Sequence, residues 1–177
     1  MDVDFIRDHA MYAVIFGVFG ITWFGWAQDN PPKSWRLPLM ILAGVSLLVA
    51  CVGGYVASQH WGGATVFDTP GISRQFGIIA GIEFATASVG AILLQVFRKP
   101  QYISAWIAFI VGLHFFPLVS IFQDNGLYVL AVLATLAPVV SVLIAKKVKV
   151  SVVALVGAST GSLLLLFAIR GLILATT

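Results

Sequence analysis

Charge is scarce in this sequence. Ten Lys and Arg and seven Asp and Glu are spread over 177 residues, so only 10% of the chain is charged. An ordinary soluble domain carries roughly 25% charged residues. A water-facing surface cannot be built from so few, and with 60% hydrophobic residues the solvent for most of this chain is lipid. Cysteine is almost missing as well. Cys51 stands alone, so no intrachain disulfide can staple the fold. The net charge of +3 is not a nucleic-acid signal, because the basic residues sit in short loops beside apolar runs, where they set membrane orientation. The opening MDVDFIRDHA has no basic n-region and is read as retained rather than as a signal peptide. There is no HExxH, GxSxG, phosphate-binding loop or GxGxxG, so no catalytic constellation, cofactor or metal site is expected, and the balance leans away from an enzyme.

What remains is six apolar runs. A spanning helix needs about 20 mainly apolar residues, and runs qualify at about 9–27, 37–57, 76–97, 102–122, 127–145 and 151–175. They are too long for barrel strands and show no in/out alternation. The expectation is an all-α integral membrane bundle of six transmembrane helices, forming one domain over 1–177. Six spans put both termini on one side. That side carries only Arg7 and Arg74 outside the spans, whereas the other carries Lys33, Arg36, Arg98, Lys99, Lys146, Lys147 and Lys149. The positive-inside rule then places both termini outside the cytoplasm, in a cell (inner) membrane. Trp26, Trp35 and Trp106 near the inner ends and Trp61 outside suit interfacial belts. Spans three and six share a loose likeness, ASVGAILLQVFRK against STGSLLLLFAIRG, but its offset disagrees with the QDN shared by spans one and four, and no inverted repeat is built on it.

Three ionisable residues fall within the spans: Glu83, His114 and Arg170. Such residues are costly in lipid and face the bundle interior, water or one another. Counting from the span ends at about 1.5 Å per residue puts all three roughly 10 Å beneath the outer boundary. The sequence therefore predicts a polar centre in the outer half, with Glu83 paired to Arg170 and His114 beside them. Small residues surround Glu83 on its helix, Ala80, Ala87 and Gly90 on one face and Gly77, Gly81 and Ala85 on the other, which suggests a central helix gripped on two sides. Pro117 and Pro138 each leave a carbonyl, of Leu113 and Ala134, without its helical donor. The two are read as kinks able to open a cavity between neighbouring helices. The long connection 58–75 is placed as a cover over the centre.

The stretch GLHFFPL, residues 112–118, preceded by a span with a lone Glu, resembles a motif of small bacterial membrane proteins of unknown function. The resemblance covers about a third of the chain. It implies a bacterial polytopic protein in which Glu83, His114 and Pro117 match the polar positions, and it supplies no activity.

The leading expectation is transport, or ligand or ion binding. Glu83 would be the titrating or cation-binding carboxylate, His114 its proton partner and Arg170 the counter-ion or anion contact. The partners are the lipid bilayer and a small solute or ion, with no nucleic acid. The small-residue faces suit a homo-oligomer as well as an intrachain bundle. Two alternatives stay open: a non-catalytic scaffold or accessory subunit whose polar set only locks helices, and an intramembrane enzyme acting on a lipid. In the plainer reading of each residue, Arg170 snorkels to headgroups, Glu83 is an interhelical hydrogen-bonder and His114 is a satisfied interior histidine.

Overall fold

The computed structural model describes residues 5–177. It is all-helical: α1 (Ile6–Ala27), α2 (Arg36–Gln59), α3 (Ile72–Val96), α4 (Ile103–Phe122), α5 (Gly126–Val148) and α6 (Val152–Thr176). Single helical turns precede α2 at Lys33–Trp35, α3 at Val66–Asp68 and α4 at Pro100–Tyr102. All six segments are long and apolar enough to cross a membrane, which makes this a multi-pass membrane protein. The face of the bundle that holds Phe5 and Thr177 is called here the terminal face, and the opposite one the basic face.

The helices form because nothing in these runs offers the backbone a competing partner, and in hydrocarbon every amide must be bonded within its own segment. The breaks are local. Pro31 and Pro32 lie within the first connection, before the turn at Lys33–Trp35, Gly71 takes a left-handed conformation (φ 87°) immediately before α3, and Gln123 does so at the end of α4. Ser151 caps α6 by accepting the Ala154 amide at 3.1 Å. Pro117 and Pro138 lie inside continuous helices.

Packing is uneven. α1 lies against both α6 and α2, and α4 lies against α5. These contacts are backbone-close. A side chain added at Gly157 of α6 would come within 2.6 Å of the Trp23 carbonyl oxygen and the Ala27 nitrogen of α1. One added at Gly112 of α4 would come within 2.5 Å of the Thr135 nitrogen of α5. Lipid is as apolar as leucine, so close approach of small residues replaces the hydrophobic effect as the force between helices. The expected opening between the two proline helices is not seen. Gly112 seats α4 on the Ala134–Thr135 backbone, and Ala134 and Pro138 are buried there.

The expectation of a central third helix is also corrected. α3 has no fully buried residue and packs substantially against α4 alone. Gly77 and Gly81 face open space, with nothing within 4 Å of where a side chain would begin. Small residues on two faces are compatible with two-sided packing, but here only one side is used.

Candidate functional site

Glu83 is the twelfth residue of the 25-residue α3, roughly 16 Å along from Ile72 and thus near mid-helix. His114 lies eight residues before the end of α4, roughly 12 Å in. The two meet across the α3–α4 seam. His114 Nδ1 is 3.3 Å from Glu83 Oε2, and the side chains are 16% and 13% exposed respectively. The same Nδ1 lies 3.2 Å from the Val111 carbonyl oxygen. Both neighbours of Nδ1 accept hydrogen bonds, so a proton on Nδ1 serves them together, and Nε2 has no hydrogen-bond partner among the described residues. The ring also lies 4.7 Å from that of Phe115. Glu83 has no Lys or Arg ion pair among the described residues, and a partner able to carry charge or a proton is what keeps it there.

Arg170 does not join this pair. Its guanidinium makes a bidentate contact with Asp124, Nη1 to Oδ2 at 2.6 Å and Nη2 to Oδ1 at 2.9 Å. The expected Glu83–Arg170 pairing is thereby corrected. Arg170 is about six residues from the end of its helix, and the nearest carboxylate at that level is the aspartate of the α4–α5 turn. Asp124 is almost wholly buried and also accepts the Gly126 amide at 2.8 Å, at the start of α5, where a negative charge complements the helix dipole. Gly126 has no side chain because the guanidinium occupies that space, 2.6 Å away. This unit fastens α6 to the α4–α5 turn. The plainer reading of Arg170 as a headgroup-seeking side chain fits only in part, since it is one-third exposed but held by a specific partner.

A second fastening was not anticipated. Asp8 is buried at the terminal face, where its carboxylate accepts the Thr65 hydroxyl at 2.6 Å and the Val66 amide at 2.8 Å. Arg7 donates to the Trp61 carbonyl at 2.6 Å and lies over its indole. The long connection is thus tied to α1 rather than free. Its Phe67 meets Phe76 of α3 and Phe122 of α4 edge-on, with ring centres 5.4 and 5.9 Å away, and the latter two are 6.2 Å apart. These three rings close the terminal-face end of the α3–α4 seam, about two helical turns beyond Glu83 and His114.

On the basic-face side the seam opens. A groove of about 540 Å³ begins one turn inward of Glu83 and is lined by Ala85, Thr86, Val89, Gly90, Leu93 and Trp106, among others. Trp106 forms its α4 wall, and the indole N–H donates to the Thr86 carbonyl at 3.2 Å. Gly90 makes room for it, since a side chain there would collide with the indole. A second cavity of about 530 Å³ lies at the terminal face between α1, α2 and the end of α6, with His9 and His60 in its wall. Among the described residues, no three His, Cys, Asp or Glu side chains gather as a metal set.

Comparison of the chain with protein-family models, with curated proteins and with solved structures finds no match.

Proposed function

We propose that this is a bacterial cell-membrane protein of the transport or ligand-binding class, with both termini on the extracytoplasmic side and the Glu83–His114 pair as its protonatable, ligand-binding centre. One observation carries the reading. The only ionisable side chains of α3 and α4 deep within the spans, from helices joined by a tight basic turn, meet at 3.3 Å well inside both helices. A carboxylate and an imidazole in contact can share or exchange a proton, and their joint charge changes when a cation or a hydrogen-bonding ligand arrives. Arg170 takes no part in this reading and is assigned to the Asp124 anchor.

The test is a proteoliposome assay of pH-dependent proton or cation flux, with Glu83→Gln and His114→Gln compared with the native chain. Loss of the pH dependence in both variants, with helicity and detergent melting retained, supports the reading. Native flux in both removes it. The scaffold alternative draws on a different observation, the open face of α3 around Gly77 and Gly81. It expects Glu83→Gln to lower thermal stability and no solute to shift the melting curve.

A further inference from the structure

The two halves of α3 are held in different ways. In the basic-face half the attachment is direct. The Trp106 indole N–H of α4 donates to the Thr86 carbonyl at 3.2 Å, and Gly90 lets the indole lie against the α3 backbone. The amides of Phe97, Arg98 and Lys99 bond back to the carbonyls of Leu93, Gln95 and Leu94 at 2.8 to 3.0 Å, so the turn into α4 is stiff.

In the terminal-face half, from Ile72 to Glu83, the hold is weaker. Ile72, Phe76 and Ile79 pack against the main core without being buried, and Gly77 and Gly81 face open space. Among the described residues, the one side-chain polar contact from this half to another helix is that of Glu83 with His114. What closes it onto the bundle comes from outside the helix. Residues 65–68 form a turn braced from within, the Thr65 amide donating to the Asp68 carboxylate at 3.0 Å and the Phe67 amide to the Thr65 hydroxyl at 3.4 Å. Asp8 of α1 grips this turn through the Thr65 hydroxyl and the Val66 amide. The turn in its place sets Phe67 edge-on against Phe76 of α3 and Phe122 of α4. Gly71, left-handed and with nothing within 4 Å of where a side chain would begin, joins the turn to α3.

We infer that α3 is an arm that pivots at the Trp106–Gly90 contact, and that the turn held by Asp8 is the clasp that keeps its terminal-face half, and with it Glu83, closed on His114. The inference takes the pair as the binding centre read above and names how that centre is opened.

Two features support a pivot over a fixed helix. The first is embedding. α3 has no fully buried residue, whereas each of the other five helices has at least five. Segments with few buried contacts open at the lowest free energy, and moving elements are drawn from them. The second is leverage. Glu83 stands midway between Phe76 in the clasp and Gly90 at the pivot, roughly 10 Å along the axis from each. A tilt of about 15°, within the range that spanning helices adopt, carries Glu83 about 3 Å. That shift takes a 3.3 Å contact beyond hydrogen-bond reach. Asp8 touches neither member of the pair, yet through the turn it decides whether they meet.

The test uses the full-length protein in nanodiscs with Cys51→Ser, spin-labelled at two cysteines and measured by double electron–electron resonance. One pair, Gln75→Cys with Tyr128→Cys, reports the terminal-face half from exposed positions. The other, Val96→Cys with Leu143→Cys, reports the basic-face half, also from exposed positions. Gln75 is roughly 22 Å from the pivot, so the same tilt moves its label by about 6 Å. The native clasp should give one narrow distance in each pair. Asp8→Ala and Phe67→Ala should each add a second population, displaced by about 6 Å, in the Gln75–Tyr128 pair and leave the Val96–Leu143 pair unchanged, at native helicity and elution volume. A Gln75–Tyr128 distance that stays native in both variants overturns the inference, because α3 is then fixed without the clasp. Equal displacement of both pairs also overturns it, since α3 would then detach as a whole and have no pivot. So does displacement with loss of helicity, which is melting and not rotation. The flux assay separates this inference from the reading of the pair. If the arm moves as expected while flux stays native in Glu83→Gln and His114→Gln, the arm stands and the binding centre is lost. If flux depends on the pair and no second population forms, the centre stands and the arm is lost.

Discussion

Replacing Arg170 by methionine should destabilise the protein by an amount set by what is left behind rather than by what is removed. The substitution deletes the hydrogen bonds at 2.6 and 2.9 Å and strands Asp124, whose side chain is 2% exposed. Removing one partner of a buried pair costs about 3–5 kcal/mol, whereas an exposed pair is worth about 0–1 kcal/mol. The Arg170 side chain is 34% exposed, so water can take its place and reach one carboxylate oxygen, and the Gly126 amide still serves Oδ1. These place the loss between the two limits, at about 2–3 kcal/mol. Unfolding in mixed micelles by dodecyl sulfate titration, followed by tryptophan fluorescence, measures it. Adding Asp124→Asn to Arg170→Met should restore about half of the loss, since an amide keeps an acceptor for Gly126 without a stranded charge. A stability unchanged by Arg170→Met, or a double variant worse than either single one, would refute the anchoring role. Loss of ligand binding at unchanged stability would instead return Arg170 to the site.

Asp8→Ala should free the 60–71 connection. Two bonds to a buried carboxylate are lost, at about 1–3 kcal/mol locally, and limited proteolysis should cut there before anywhere else described in the chain. Gly112→Ala should cost about 1–3 kcal/mol through overpacking, because the new methyl would meet the α5 backbone at 2.5 Å. Gly81→Ala, with nothing within 4 Å, should leave monomer stability within about 0.5 kcal/mol. A change of oligomeric state in that variant would show that a second chain covers α3. Micelle unfolding and light scattering read these two outcomes.

The six spans were legible because a bilayer imposes length and apolarity on each of them, and the expected ranges differ from the helices by a few residues at the ends. α3 begins at Ile72 rather than near 76, since Ser73, Arg74 and Gln75 extend the helix into the polar layer. The contact of Glu83 with His114 was legible in part, through depth: one helix descends and the next ascends, and a short turn makes them neighbours. Depth failed for Arg170 because a long side chain near a helix end has loop carboxylates within reach. Asp124 stands in the QDNG stretch that follows span four. Its signal was present, as an acidic residue flanking a span at the level of the unpaired arginine. Asp8 gives the same kind of signal, an acidic residue at the edge of span one, where it bonds Thr65 and Val66. The position of α3 was not legible at all. Glycines at 77 and 81 look alike whether a neighbour presses on them or none does.

The central claim is that the carboxylate of residue 83 and the imidazole of residue 114 are in contact within the membrane. Glu83 is the sole glutamate of the chain and His114 one of three histidines, so selective labelling reports on this pair almost without background. Rotational-echo double-resonance NMR of the protein in bilayers, with carbon-13 at the glutamate carboxyl and nitrogen-15 in the histidine rings, measures the separation. Strong dephasing, matching an Nδ1–Oε2 distance of 3.3 Å and vanishing in His114→Gln, is the expected result. Absence of dephasing in the native chain would contradict the account and leave Glu83 without its partner.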